Sequence, residues 1–155
     1  MPTFEGTLDT TGRVAVVVSR YHERLTRRLV DGALAVCTEA GLDAGAVDTC
    51  WVDGAFELGV AVTALARGGE YVAIIALGVV IRGETPHFEF VAGETARMLA
   101  SASTETLVPI GFGLLTTDDL PQAEARSGGA AGNKGREAAE AALRTASLLG
   151  RMARS

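Results

Sequence analysis

Apolar positions along this chain alternate between two rhythms. Continuous β-branched runs such as Arg13 to Ser19 (RVAVVVS) predict strands covered on both faces, and stripes at helical spacing fill the segments between them. From about His22 to Ala40, Leu25, Leu29, Ala33, Val36 and Cys37 share one stripe, and Gly41 stands where a helix takes its left-handed stop. Ala46 to Val52 reads as a second strand. Gly54 then introduces a short helix over about Ala55 to Ala66 that stops at Gly68-Gly69. Tyr71 to Val80 (YVAIIALGVV) is the third and most buried strand, and a loop from Ile81 to Pro86 leads into a helix over about His87 to Ser103. Leu107 to Leu114 reads as a fourth strand, interrupted by Pro109, Gly111 and Gly113. Asp118 or Asp119 can cap a short helix with Pro121 in its first turn. A glycine-rich piece, Ser127 to Gly135, separates that helix from a last one running to about Leu149.

Strands alternating with helices at this spacing predict one domain over residues 1–155 of α/β class. The expected architecture is a three-layer α/β/α sandwich around a central four-stranded parallel sheet. Residues 1–12 fit no βαβ unit and read as an N-terminal arm, whose Phe4-Glu5-Gly6 can add a strand to a neighbouring subunit's sheet edge. Ligands of open α/β sheets bind beyond the carboxyl ends of the strands. That rule selects Ser19 to His22, Gly54 to Leu58, Ile81 to His87 and Gly113 to Thr117.

Composition narrows the picture. With 48% apolar and 21% charged residues the chain is globular, and a net charge of -5 argues against nucleic acid as a partner. A local basic pocket for a small anion remains compatible with that charge. No leader pattern and no membrane-length apolar run are evident, so the expected compartment is the cytoplasm and no membrane partner is expected. Cys37 and Cys50 sit in apolar surroundings at no metal-ligand spacing and read as buried free thiols. Abundant alanine and glycine leave less large-side-chain burial per domain, which favours burying further surface between subunits.

The stretch Ile81-Arg82-Gly83-Glu84-Thr85-Pro86-His87 carries the most chemistry. Free N–H groups at a helix start form an anion site, Thr85 adds a hydroxyl, and a histidine beside it exchanges protons near neutrality. An ordinary capped helix start with a surface histidine explains the same residues equally well. Arg126 and Lys134 flank the glycine-rich loop, as phosphate ligands or as solvated charges. Tyr21 can stack on a planar heterocycle or pack half-buried with a wet hydroxyl. Glu57, after Ala55 and Phe56, can bind a polyol or serve the helix dipole as a first-turn acid. Dinucleotide, phosphate-loop, nucleophile-elbow, metal and phosphoacceptor signatures are not found in the sequence.

Leu77 to Phe90 (LGVVIRGETPHFEF) resembles the lumazine synthase family. Gly54-Ala55-Phe56-Glu57-Leu58, Gly113-Leu114-Leu115-Thr116-Thr117, and Gly132-Asn133-Lys134-Gly135 after Gln122 and Arg126 agree with it in order and spacing. The resemblance runs from about Val14 into the last helix and implies a flavodoxin-like fold. It implies condensation of 5-amino-6-ribitylaminouracil with 3,4-dihydroxy-2-butanone 4-phosphate to 6,7-dimethyl-8-ribityllumazine, releasing phosphate and water, with no cofactor and no metal. By analogy Tyr21 and His22 meet the pyrimidine, backbone at Val79, Val80 and Ile81 meets the ring's edge, and Ala55, Phe56 and Glu57 hold the ribityl chain. Gly83, Glu84, Thr85 and Arg126, with Lys134, hold the phosphate, and His87 shuttles protons. Phe112, Arg126 and Lys134 are expected from the adjacent subunit.

The family forms homo-pentamers, twelve of which build an icosahedral 60-mer in some members. The short Gly128 to Lys134 piece is like that of shell-forming members. The sequence departs from the family pattern at His22, where many members have asparagine, and at Asp53 and Gly59, where proline is common. Two alternatives belong to other classes or reactions: a non-catalytic ribityl-binding or shell-forming homologue, and an enzyme that joins two lumazines without a phosphorylated substrate.

Overall fold

The computed structural model describes residues 1–154. Four parallel strands, β1 (Arg13–Ser19), β2 (Val47–Val52), β3 (Tyr71–Ile81) and β4 (Ile110–Thr117), form one sheet in the order β2-β1-β3-β4. The helices α1 (Glu23–Glu39), α2 (Leu58–Gly68), α3 (His87–Thr106), α4 (Leu120–Arg126) and α5 (Lys134–Ala153) connect and follow them. The expected α/β sandwich around a four-stranded parallel sheet is therefore present.

Its core follows from the continuous apolar runs. Val14 to Val18 and Ala73 to Leu77 expose no surface at all. Side chains alternate across the sheet, so Val14, Val16, Val18, Ile75 and Leu77 pack with Leu25, Leu29 and Val36 of α1 and Ala139 and Leu143 of α5. Ala15, Val17, Ile74 and Ala76 face Leu58 and Val62 of α2 and Leu99 of α3. Small residues bring α5 close. A Cβ on Gly135 would stand 2.0 Å from the Leu29 carbonyl oxygen of α1. A Cβ on Gly111 of β4 would stand 2.3 Å from that of Ala138.

Several expected boundaries move. The fourth strand begins at Ile110 rather than Leu107, because α3 continues to Thr106 and Leu107 is its left-handed cap (φ 61°). Pro109 has no N–H for the ladder, although its carbonyl accepts from Ile74 N at 2.9 Å. At its other end β4 runs on to Thr117, three residues past the expected end at Leu114. Ala55–Glu57 forms a 3-10 turn ahead of α2. The glycine-rich piece is a small antiparallel hairpin, β5 (Ser127–Gly129) with β6 (Gly132–Asn133). Asn133 anchors it: its Oδ1 caps α5 by accepting from Gly135 N at 2.8 Å, and its Nδ2 donates to Arg28 O at 3.0 Å.

The two cysteines are free, and burial pushes the Cys37 thiol up to about 11. Cys50 is only half-buried on the edge strand β2, which corrects the expectation of two buried thiols. Phe4-Glu5-Gly6 forms no strand within its own chain. Within the chain the arm meets α5, where Thr7 N donates to Ser147 Oγ at 3.1 Å and Arg151 to the Glu5 carbonyl at 3.1 Å. Among the described residues, no helix is long and apolar enough to cross a membrane.

Gly135→Ala drives a methyl into the α1 backbone and is expected to destabilise the fold by about 1–3 kcal/mol. A denaturant titration showing an unchanged midpoint would refute the close helix crossing.

Candidate active site

The carboxyl ends of β1, β2 and β3 open onto a cleft of about 940 Å³. Each wall is set by local chain chemistry. After β1 the backbone keeps pairing with the end of β2, through Arg20 N to Val52 O at 2.8 Å and Tyr21 N to Asp53 O at 3.1 Å. This turn carries Tyr21 out over the cleft, with 69% of it exposed. His22 completes the turn in the left-handed conformation (φ 62°, ψ 47°), and its carbonyl accepts from Leu25 N and Thr26 N to start α1. The Tyr21 and His22 rings meet edge to face, 4.6 Å apart.

The 3-10 turn places Ala55, Phe56 and Glu57 on the opposite wall. Glu57 Oε1 accepts the Gly54 N–H at 2.9 Å. Its first-turn role is thus realised while the residue also lines the cleft. Gly59, where proline is common in the family, is explained by α3: a Cβ there would stand 2.5 Å from Met98 Sδ.

Val79, Val80 and Ile81 at the end of β3 form the floor, and the loop after them brings Gly83 and Thr85 to the rim. Thr85 Oγ1 accepts the His87 N–H at 3.4 Å, one residue ahead of Pro86, which stands at the cap position of α3. His87, Phe90, Val91 and Glu94 then line one wall together with Phe88. Sequence reasoning missed Phe88 and, along the helix from His87, Phe90, Val91 and Glu94. The signal was available, since positions i, i+3, i+4 and i+7 from His87 share one helix face.

Tyr21, Ala55, Phe56, Glu57, Val79, Val80, Ile81, Gly83, Thr85 and His87 thus line one cleft. His22, Glu84, Phe112, Arg126 and Lys134 do not line the cleft of their own chain. Phe112 lies on the edge strand β4 with 43% exposed. Arg126 ends α4 and donates to the Gln122 carbonyl at 3.1 Å, while Lys134 opens α5 beyond the hairpin. Among the described residues no lysine or arginine lines the cleft, whereas Glu57 and Glu94 do. One chain therefore offers aromatic faces, backbone and a histidine at this cleft, but no cationic side chain for an anion.

An open parallel sheet with a small-molecule cleft at its carboxyl edge defines an α/β ligand-binding protein of flavodoxin-like fold. The family model for 6,7-dimethyl-8-ribityllumazine synthase matches residues 11–150, and the chain belongs to that family. A 6,7-dimethyl-8-ribityllumazine synthase of Gemmatimonas aurantiaca is 50% identical over 139 residues, covering 90% of this chain and 85% of that protein. One of Nitratidesulfovibrio vulgaris (strain DP4) is 46% identical over 148 residues, covering 95% of each.

Burial holds His22 below the ordinary imidazole range. The unfolded chain therefore binds the proton more readily, and stability rises with pH from the depressed folded value up to about 6.5. Asparagine adopts the same left-handed backbone without strain and carries no proton. His22→Asn is expected to fold as well as the parent at pH 7 and better at pH 5. Melting curves at both pH values check this, and an equal loss at both would contradict it.

Proposed function

We propose that this chain condenses 5-amino-6-ribitylaminouracil with 3,4-dihydroxy-2-butanone 4-phosphate to 6,7-dimethyl-8-ribityllumazine, releasing phosphate and water. The observation that carries the proposal is the junction of His87 with the Gly83–Thr85 loop, facing Tyr21, Phe56 and Glu57 across one cleft in a member of this family.

Each wall has a part in the reaction. Tyr21 stacks on the pyrimidine while backbone at Val79, Val80 and Ile81 bonds its edge, and Ala55, Phe56 and Glu57 hold the ribityl chain. N–H groups at Gly83, Glu84 and Thr85, with the positive end of the α3 dipole, receive the phosphate. Amine attack on the ketone, phosphate elimination and ring closure each move protons, and His87 is placed to carry them. Holding two reactants in register supplies much of the acceleration, worth roughly 7–11 kcal/mol in well-oriented systems.

Cationic charge for the phosphate comes in this proposal from Arg126 and Lys134 of an adjacent subunit, along with the ring of Phe112. Exposed apolar side chains lining the cleft, Phe56 (52%) and Phe90 (69%), favour such a neighbour. The assembly proposed is a pentamer built into a 60-subunit shell. Light scattering is expected to show shell-sized particles, and a dominant pentamer across pH and buffer would contradict that part.

Purified protein given both substrates is expected to form the lumazine, seen by visible absorbance and fluorescence, with one phosphate released per product. No acceleration by a folded oligomer would favour the non-catalytic ribityl-binding alternative. His87→Ala is expected to slow turnover, with roughly 10²–10⁴-fold as the ceiling for a positioned acid–base group. Residual activity from reactant positioning should remain, and a folded variant with full rate would remove His87 from the mechanism.

A further inference from the structure

Arg82 does not line the cleft, yet it joins the end of β4 and the start of α3 across the loop that does. Its backbone N–H extends the β3–β4 pairing by one step, donating to Thr117 O at 2.8 Å. Its side chain turns back across the loop. Nε donates to Asp118 Oδ1 at 3.1 Å at the end of β4, and Nη1 donates to Glu89 Oε1 in the first turn of α3. The guanidinium carbon sits 4.5 Å from the centre of the Phe88 ring. One planar cation thus ties the start of the Gly83–Pro86 loop to both residues that follow His87 and to the neighbouring strand. Gly83 itself has open space where a Cβ would be, so neighbouring atoms do little to hold the loop there.

Sequence position alone makes Arg82 look like a phosphate ligand, being the cation nearest the loop. Its partners argue otherwise, because two carboxylates already engage its Nε and Nη1 and offset its charge. The hydrogen bond from Arg82, with one from the Glu89 backbone, holds the Glu89 carboxyl below its usual range.

We propose that Arg82 is a positioning residue: with Glu89 and Asp118 it clamps the loop so that the 83–85 N–H groups and the His87 ring face one point. This rests on the functional reading above, in which that point receives the phosphate. All three side chains are about half exposed or more, so their ion pairs add little to global stability and their effect is local. A lysine cannot reproduce the fork that reaches two carboxylates at once.

The two roles for Arg82 give opposite signs. A phosphate ligand would be competed for by its acids, so Glu89→Gln would free it and tighten phosphate binding. A clamp loses its grip whichever partner is removed. The test compares Arg82→Gln, Arg82→Lys, Glu89→Gln and Asp118→Asn in the intact assembly. It measures inorganic phosphate affinity by calorimetry, KM for each substrate, and deuterium exchange of the peptide spanning residues 81–91.

Arg82→Gln and Glu89→Gln are expected to weaken phosphate and raise KM for the phosphorylated ketone by about fivefold or more, with KM for the pyrimidine and the melting temperature unchanged. Asp118→Asn and Arg82→Lys should move the same way by less. The Arg82→Gln/Glu89→Gln double variant should be no worse than either single one. Exchange at the start of α3 should rise in each variant. Tighter phosphate binding by Glu89→Gln, or additive losses in the double variant, would overturn the clamp, as would unchanged exchange in all variants. A parent protein that made no lumazine would instead sink the functional reading, leaving the exchange comparison to decide the clamp.

Discussion

Burial of β1 and β3 on both faces is the constraint on which this molecule depends. Ten consecutive-strand positions, Val14 to Val18 and Ala73 to Leu77, lose all contact with solvent. A strand with two dry faces needs a helix layer on each side, and parallel neighbours reached through those helices. Loop chemistry then collects at one edge of the sheet, because every strand ends there. The same burial explains the small residues. Gly111 and Gly135 let α5 settle against β4 and α1 at distances that a methyl group would forbid.

The cleft inherits its character from this geometry. Its floor is the end of the most buried strand, and its walls are the turns and helix starts that follow β1, β2 and β3. Strand ends and helix starts supply backbone N–H groups and aromatic edges readily. Cationic side chains are another matter, since Arg126 and Lys134 follow the edge strand β4 and lie away from the cleft. A phosphate in this cleft would meet a helix dipole and two nearby carboxylates unless another subunit contributed charge. The proposed chemistry and the proposed assembly are therefore one hypothesis rather than two.

Much of this was legible from periodicity. Arg13 to Ser19 is predicted to the residue, because a β-branched run bounded by a turn has one reading. The fourth strand was misread at its start because Leu107 and Val108 continue its apolar pattern, and only backbone geometry shows that Leu107 caps a helix. The hairpin at Ser127 to Asn133 was invisible because its anchor is a tertiary contact, Asn133 to the Arg28 carbonyl, not a pattern. Within the cleft, loop residues were found from the motif, whereas Glu94 lies a full two turns along α3 and needed the helix face to be followed. Glu57 shows that alternative readings need not exclude each other, since one carboxylate caps a turn and lines the cleft.

The composite site is tested most directly by co-assembling two defective subunits. His87→Ala chains and Arg126→Ala chains, each assembled alone, should turn over slowly. If one subunit supplies the histidine and its neighbour the arginine, co-assembled mixtures contain interfaces with both residues intact. Activity should then rise clearly above the sum of the two parents. Mixed assemblies that show only that sum would place both residues in one chain's site and contradict the shared cleft.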